Sequence, residues 1–202
     1  FKRFREEYAP NKRYAPSPDC PASEVSWYDA IAFCNWLSDR EGLRRCYEPN
    51  DESNYAAGVR IPDDFLQRDG YRLPTELELE CLSRAGTETN YSFGTAGGLL
   101  GNYAWYEKNA RNRTWPVGTK LPNALGAFDT HGNLWEWSHD LKDVSKRGSD
   151  RVVIDRDARL LCGGAFDNKP ERVESGDRLV HYPYELKYSY GFRPARTLPS
   201  RQ

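Results

Sequence analysis

The chain has 202 residues, with 29 lysines and arginines against 30 aspartates and glutamates and a formal net charge of −1, so no global field draws it to nucleic acid or to an anionic membrane. Hydrophobic residues make up 38% and aromatic residues 13%, including six Trp and thirteen Tyr, which places burial on a few large side chains in one large domain. No apolar run approaches the ~20 residues that span a bilayer, no signal-like segment opens the chain, and five irregularly spaced cysteines fit neither a complete disulfide framework nor a CxxC-type zinc site.

Residues 1–23, with Pro10, Pro16, Pro18 and Pro21, read as an extended lead-in to a domain over 24–202. Ser26 is the expected N-cap of a first helix, in which Trp27, Ala30, Ile31, Phe33, Cys34 and Leu37 recur at helical spacing until Gly42. Polar, turn-rich sequence follows from Cys46 to Gly70, and a Cys20–Cys46 disulfide remains open. Pro74 and Thr75 introduce a second helix, Glu76 to Arg84, stopped by Gly86. Its acids, with Asp63 and Asp64 before it, read as helix-dipole partners and ion-paired faces rather than catalysts.

From Tyr91 to Lys120 the expectation is loops and short strands. Trp135 and Trp137, flanking Glu136 in GNLWEW, should share one buried strand face, reached through tight turns at Gly126 and Gly132. Ser138 to Arg159 reads as a charged loop running into a short strand at Val152 to Ile154. ARLLCGGAF should form a core strand and a turn, and YSYGFRPART the closing strand. Two helices on small irregular antiparallel sheets make a loop-rich α+β domain. Such loops display side chains.

The segments VSWYDAIAFCNWLS, YRLPTELELECLSRAG, GNLWEW, CGGAF and YGFRPART occur in an order that resembles the formylglycine-generating-enzyme, or sulfatase-modifying-factor, family, whose fold is a variant of the C-type lectin fold. The resemblance runs from about Glu24 to Thr197. It implies that Phe1 lies just after the family's opening strands, so that the chain is part of a larger polypeptide. Secreted members pair the cysteines matching Cys34 and Cys81 with partners that are Pro194 and Ser175 here. That departure implies a reducing, cytoplasmic location.

The family's oxidases convert a cysteine of a sulfatase peptide to formylglycine, using two cysteines that bind copper just after the GGS turn. The first matches Asn168, and no cysteine follows Cys162. An amide cannot replace a thiolate as copper ligand and electron source, so copper is not expected and no residue is assigned as catalytic. Cys162 is expected as a small apolar filler. His131 and His139 read as a tight-turn residue and an exposed-loop residue rather than zinc ligands. The family's structural calcium loop matches Asn123 and Gly126, where calcium is weighed against Asn123 capping its own turn.

With the thiols gone, the matching cleft is a candidate recognition surface, formed by Phe166, Asp167, Asn168, Glu171 and Asp177, by His181, Tyr182 and Tyr184, and by an opposite wall of Trp105 and Tyr106. Tyrosine brings contact area, low rotamer entropy and a polar tip. Alternation assigns Tyr188 and Tyr190 to burial. The expected role is a non-catalytic binding or sensor domain for a protein or peptide, similar to members fused to bacterial serine/threonine kinases and to variable proteins of diversity-generating retroelements. An enzyme with an altered metal site and an assembly domain of a signalling or defence protein are the alternatives.

Overall fold

The first helix, α1 (Trp27–Arg40), begins where the sequence places it. Ser26 accepts from the Asp29 amide while Asp29 accepts from the Ser26 amide, a reciprocal cap that satisfies two otherwise unpaired donors. In the computed structural model, which describes residues 1–143, 145 and 152–198, Trp27, Ile31 and Cys34 of α1 are fully buried. Each large side chain so buried contributes about 1.5–3 kcal/mol. The second helix, α2 (Glu76–Arg84), has the same kind of cap from Thr75 and Glu78, and it ends on Ala85 at φ 50 and Gly86 at φ 88.

Two sheets complete the domain. β1 (Tyr71–Arg72) pairs with β6 (Ala195–Arg196), and the larger sheet runs β4 (Arg178–His181), β3 (Arg159–Cys162), β2 (Trp135–Leu141), β5 (Tyr190–Gly191). The β2–β3 and β3–β4 pairs are antiparallel, whereas β2–β5 is parallel, so this sheet is mixed. The closing YSYGFRPART segment is thus two short strands in different sheets, because Phe192, Arg193 and Pro194 carry the chain from one to the other. A short helix, α3 (Leu100–Tyr103), stands in the region read as loops and strands; Leu100 and Ala104 bury it against Tyr91, Tyr106 and Val173.

Trp135 and Trp137 are both buried, as alternation requires, and Trp137 meets Tyr190 edge-on at 5.6 Å. The burial extends further than a single face. Ser138 and His139 are also enclosed, because the register shifts after Trp137 and α2 covers the other side. Two indoles cross-link this strand to α1 and the residues leading into it: Trp137 Nε1 donates to Val25 O at 2.9 Å, and Trp27 Nε1 donates to Ser138 O at 2.9 Å. Residues Ser138 to Leu141, read as loop, are strand. Val152 makes only an isolated bridge to Arg60 and Val153 is buried, so the expected strand at Val152 to Ile154 does not form; residues 144 and 146–151 of the charged segment lie outside the described residues.

The lead-in has turns but no regular element, and it is docked. Phe1 contacts the rings of Phe4, Tyr8, Phe33 and Phe192. All five cysteines are free thiols. Cys46 is in the main core, donating to Gly70 O, while Cys20 faces Thr114 O, so the Cys20–Cys46 pairing is not made. Among the described residues no helix is long and apolar enough to cross a membrane.

Candidate functional site

β3 is followed by Gly163 and Gly164, whose φ values of 92 and 75 turn the chain sharply. A Cβ on Gly164 would stand 2.4 Å from Arg172 O, so only glycine lets the turn at Pro170–Arg172 lie against it. This junction sets out Ala165 to Asn168. Asn168 accepts from the Ala165 amide through Oδ1 at 2.9 Å, and its carbonyl accepts from the Glu107 amide at 3.0 Å. The Asn168 side-chain oxygen is therefore spent on closing its own turn.

Phe166 is fully buried and Tyr106 nearly so, which removes both from the expected ligand-facing set. Phe166 packs with Ala110 and Leu134 beneath Tyr14, Trp105 and Trp115; Tyr106 belongs to the cluster around Leu100. Rings in such loops fill space before they meet ligands, and the sequence alone does not separate those roles. Trp105 is half-buried, stacked on Trp115 at 4.3 Å, with Nε1 donating to Thr119 Oγ1.

Asp167 is half-buried, its Oδ1 enclosed with no hydrogen-bond partner; burial pushes the carboxyl pKa up, opposed by its own amide and the Tyr188 hydroxyl. Glu171 is exposed on the Pro170–Arg172 turn. Asp177 accepts from Arg172 at 2.7 Å, and burial raises its pKa against the pull of that guanidinium. Arg178 clamps β4 to α2 through Glu76 at 2.8 Å and Glu80 at 2.5 Å, consistent with stabilising rather than catalytic acids.

At the other end of the surface His181 pairs with Glu185 at 2.8 Å and leans on Tyr190 at 5.0 Å. Tyr182 and Tyr184 are 44% and 52% exposed, and their rings stack at 5.8 Å with only 6° between planes. Tyr190 is core, but Tyr188 is not: it lies 36% exposed and stacked on Tyr14 at 4.1 Å. Tyr14 was hidden in the lead-in. It bridges the two ends because Thr114 donates to the Tyr14 carbonyl through both its amide and its hydroxyl. Tyr188 thus brings Asp167, Tyr14 and the 105–115 loop to one place, and Tyr182 and Tyr184 stand on the same β4–β5 connection a few residues before it.

Metal sites find little support in the donor set. Asn123 Oδ1 accepts from the amides of Leu125 and Ala127, and Nδ2 donates to Leu82 O, so the oxygen that calcium would need is engaged within the loop. Among the described residues no three His, Cys, Asp or Glu side chains converge. His131 sits with Tyr91 and Phe93, whereas His139 stacks on Phe65 at 4.1 Å. Both histidines are buried, which corrects the exposed-loop reading of His139.

Burial lifts the Cys162 thiol pKa to about 12 and that of Cys46 to about 11, and raises that of the fully enclosed Cys34 further. A thiolate is the reactive form, so Cys34, Cys46 and Cys162 should stay silent towards a thiol reagent in the native protein. Exposed Cys81 is expected to react first, and a mass-mapped time course checks this order. Early labelling of Cys162 would contradict the filler role.

The description "Sulfatase-modifying factor enzyme 1-like domain" matches residues 2–198. The chain is 31% identical to Chaperone protein LppX of Paenibacillus barcinonensis over 79% of this chain and 69% of that one. It is 26% identical to the formylglycine-generating enzyme of Streptomyces coelicolor over 88% of this chain, but spans only 53% of that enzyme's length. Among solved structures, Treponema denticola variable protein 1 superposes with a TM-score of 0.74 at 28% identity, covering 95% of this chain and 76% of that one. Sequence, fold and the match across both ends of the surface lead to one assignment: the chain belongs to the sulfatase-modifying factor enzyme 1-like domain family.

Proposed function

We propose that this chain is a non-catalytic recognition domain that holds a segment of a partner protein along the surface between Tyr182 and the 105–115 loop. The observation that carries this reading is the exposed, mutually stacked pair Tyr182 and Tyr184. Two large rings held in solvent with few rotamers to lose are suited to a binding hot spot. Asn168 supports the non-catalytic half, since it stands at the position of an oxidase thiol and no cysteine follows Cys162. LppX is named a chaperone protein and the Treponema relative a variable protein, and both names accord with a fold used to bind other proteins.

The test combines a binding and a chemical measurement. A photo-crosslinking residue at Tyr184 should capture a defined partner, and Tyr182→Ala with Tyr184→Ala should weaken that partner's binding at least about tenfold with little change in melting temperature. With copper(I) and oxygen, a cysteine peptide of the sulfatase type should remain unconverted. Aldehyde formation, or unchanged partner affinity in the double variant, would overturn the reading.

A further inference from the structure

The arginines of this protein are mostly paired. Arg44, Arg45, Arg60, Arg68 and Arg72 each meet a carboxylate, as do Arg172, Arg178 and Arg193. Arg3, Arg40 and Arg156 have no such partner among the described residues, but they are scattered; one group of unpaired cations is clustered. Lys108, Arg111 and Arg113 on one loop, with Lys12 and Arg13 on the lead-in, have no carboxylate partner among the described residues.

The two segments are held side by side by the bonds from Thr114 to the Tyr14 carbonyl, 2.8 Å from the amide and 2.7 Å from the hydroxyl. The loop itself is firmly built. Buried Ala110 accepts from Trp115 Nε1 at 2.8 Å, and Arg111 and Asn112, at φ 56 and 53, turn the chain outward between them. Two consecutive left-handed residues cost energy, so the surrounding bonds must hold them there. Lys108, Arg111, Lys12 and Arg13 are thereby left in solvent.

Arg113 is the most constrained of the five. Its guanidinium lies 4.5 Å from the Trp115 ring, whose other face is covered by Trp105 at 4.3 Å and 8°, and Lys120 lies 3.8 Å from the Trp105 ring. Stacking fixes the plane of the guanidinium while leaving its hydrogen-bonding edge free. That edge is unused. Nε is buried without an acceptor, and no carboxylate or carbonyl of the described residues takes a hydrogen bond from the terminal nitrogens. The terminal nitrogens, held in plane by the stack and without a partner among the described residues, form a donor pair matched by an incoming carboxylate, while the enclosed Nε stays out of reach.

We infer that the 108–113 loop and the adjoining Lys12 and Arg13 bind an acidic segment of a partner protein, with Arg113 receiving one of its carboxylates. The inference rests on the recognition reading above and gives the partner its charge. A nucleic acid fits less well, because the faces of Trp105 and Trp115 are covered by each other and by Arg113 and Lys120, and the Tyr14 ring is covered by Tyr188 and by Arg13 at 5.4 Å. Bases would find no open ring face there to stack on.

The experiment is fluorescence anisotropy on the purified chain with three labelled probes: a decapeptide of alternating Glu and Asp, the matching Gln and Asn peptide, and a ten-residue oligothymidylate. The acidic peptide should bind at least tenfold more tightly than its amide counterpart, and raising salt from about 50 to about 200 mM should weaken it several-fold. Arg111→Gln with Arg113→Gln should weaken it at least tenfold. Lys108→Gln with Arg111→Gln, which leaves the indole stack intact, should weaken it at least threefold, while distant Arg40→Gln should not. Equal binding of the two peptides, tighter binding of the oligonucleotide, or wild-type affinity in both double variants would overturn the inference. A partner still captured through Tyr182 and Tyr184 in that event leaves the recognition reading standing; failure of that capture sinks the reading itself.

Discussion

Gly132→Ala is expected to lose about 3–5 kcal/mol of stability, a large part of the 5–15 kcal/mol typical of a folded domain. A Cβ at this position would stand 2.2 Å from the Trp105 carbonyl oxygen and 3.0 Å from its carbon, and both are backbone atoms that no rotamer change can move aside. The residue also sits at φ 75, where an L side chain adds about 1–2 kcal/mol of its own. Relief would require Trp105 to withdraw, which stretches the Asn133 amide bond to the Trp105 carbonyl at 2.8 Å and the parallel bridge between residues 105 and 132.

Trp105 carries Trp115 and, through it, Arg113, so the same substitution should also disturb the basic end of the surface. Urea unfolding measures the first effect and intrinsic indole fluorescence the second. A loss below about 1 kcal/mol would show that the 105 loop yields easily and that the stack is softer than its packing indicates.

Local rules carried much of the fold. Ser26 and Thr75, each followed three residues on by a carboxylate, mark the starts of both long helices, and those caps are the ones formed. The paired indoles of GNLWEW likewise announce a buried strand through alternation alone. What escaped was set by tertiary packing. The parallel β2–β5 pair depends on where Tyr190 returns to the sheet, and no short window of sequence holds both partners. α3 is four residues long, and its helical state follows from burying Leu100 and Ala104 rather than from any propensity of LGNY.

The surface divides in the same way. Tyr182 and Tyr184 were legible through alternation along a tyrosine-rich segment, and the buried Pro183 between them accords with it. Phe166, close to a glycine turn, and Tyr106, in an irregular loop, were not, since an aromatic in either setting looks alike whether it faces solvent or core. Tyr14 and Arg113 went unnoticed for a different reason. Their role arises only when the lead-in and the 110–115 loop are brought together, a contact made by two hydrogen bonds across a gap of 100 residues.

Acidification should destabilise the protein above the range in which the Glu78–Arg72 pair weakens, and His131 supplies the reason. It is 1% exposed, with Nδ1 donating to the Val173 carbonyl at 2.9 Å and Nε2 accepting from the Ser92 amide at 3.2 Å. Those partners fix the neutral ring, because a proton on Nε2 would face the Ser92 N–H head-on. Burial lowers its pKa from the ordinary 6.5 to about 4, the Val173 carbonyl resisting only in part.

The folded value lies below the unfolded one, so the unfolded chain takes up the proton first as pH falls. The contribution of His131 is complete above about pH 6.5 and declines as pH falls towards about 4, where the accumulated loss reaches roughly 3 kcal/mol. His139, fully enclosed and repelled by Arg159 and Arg72, is shifted in the same direction and adds to the slope. Glu78 acts elsewhere on the scale: despite its burial, Arg72 holds its pKa down, so that pair weakens only as pH falls below about 4.3.

Urea unfolding at a series of pH values should therefore show stability falling between about pH 6.5 and about pH 4.5, with a shallower slope in His131→Gln. A titration of the His131 ring by NMR gives the independent reading. An ordinary pKa for that ring, or an unchanged slope in the variant, would mean that His131 and Ser92 open to water in the native state, and the cluster that seats α3 would then be loose rather than sealed.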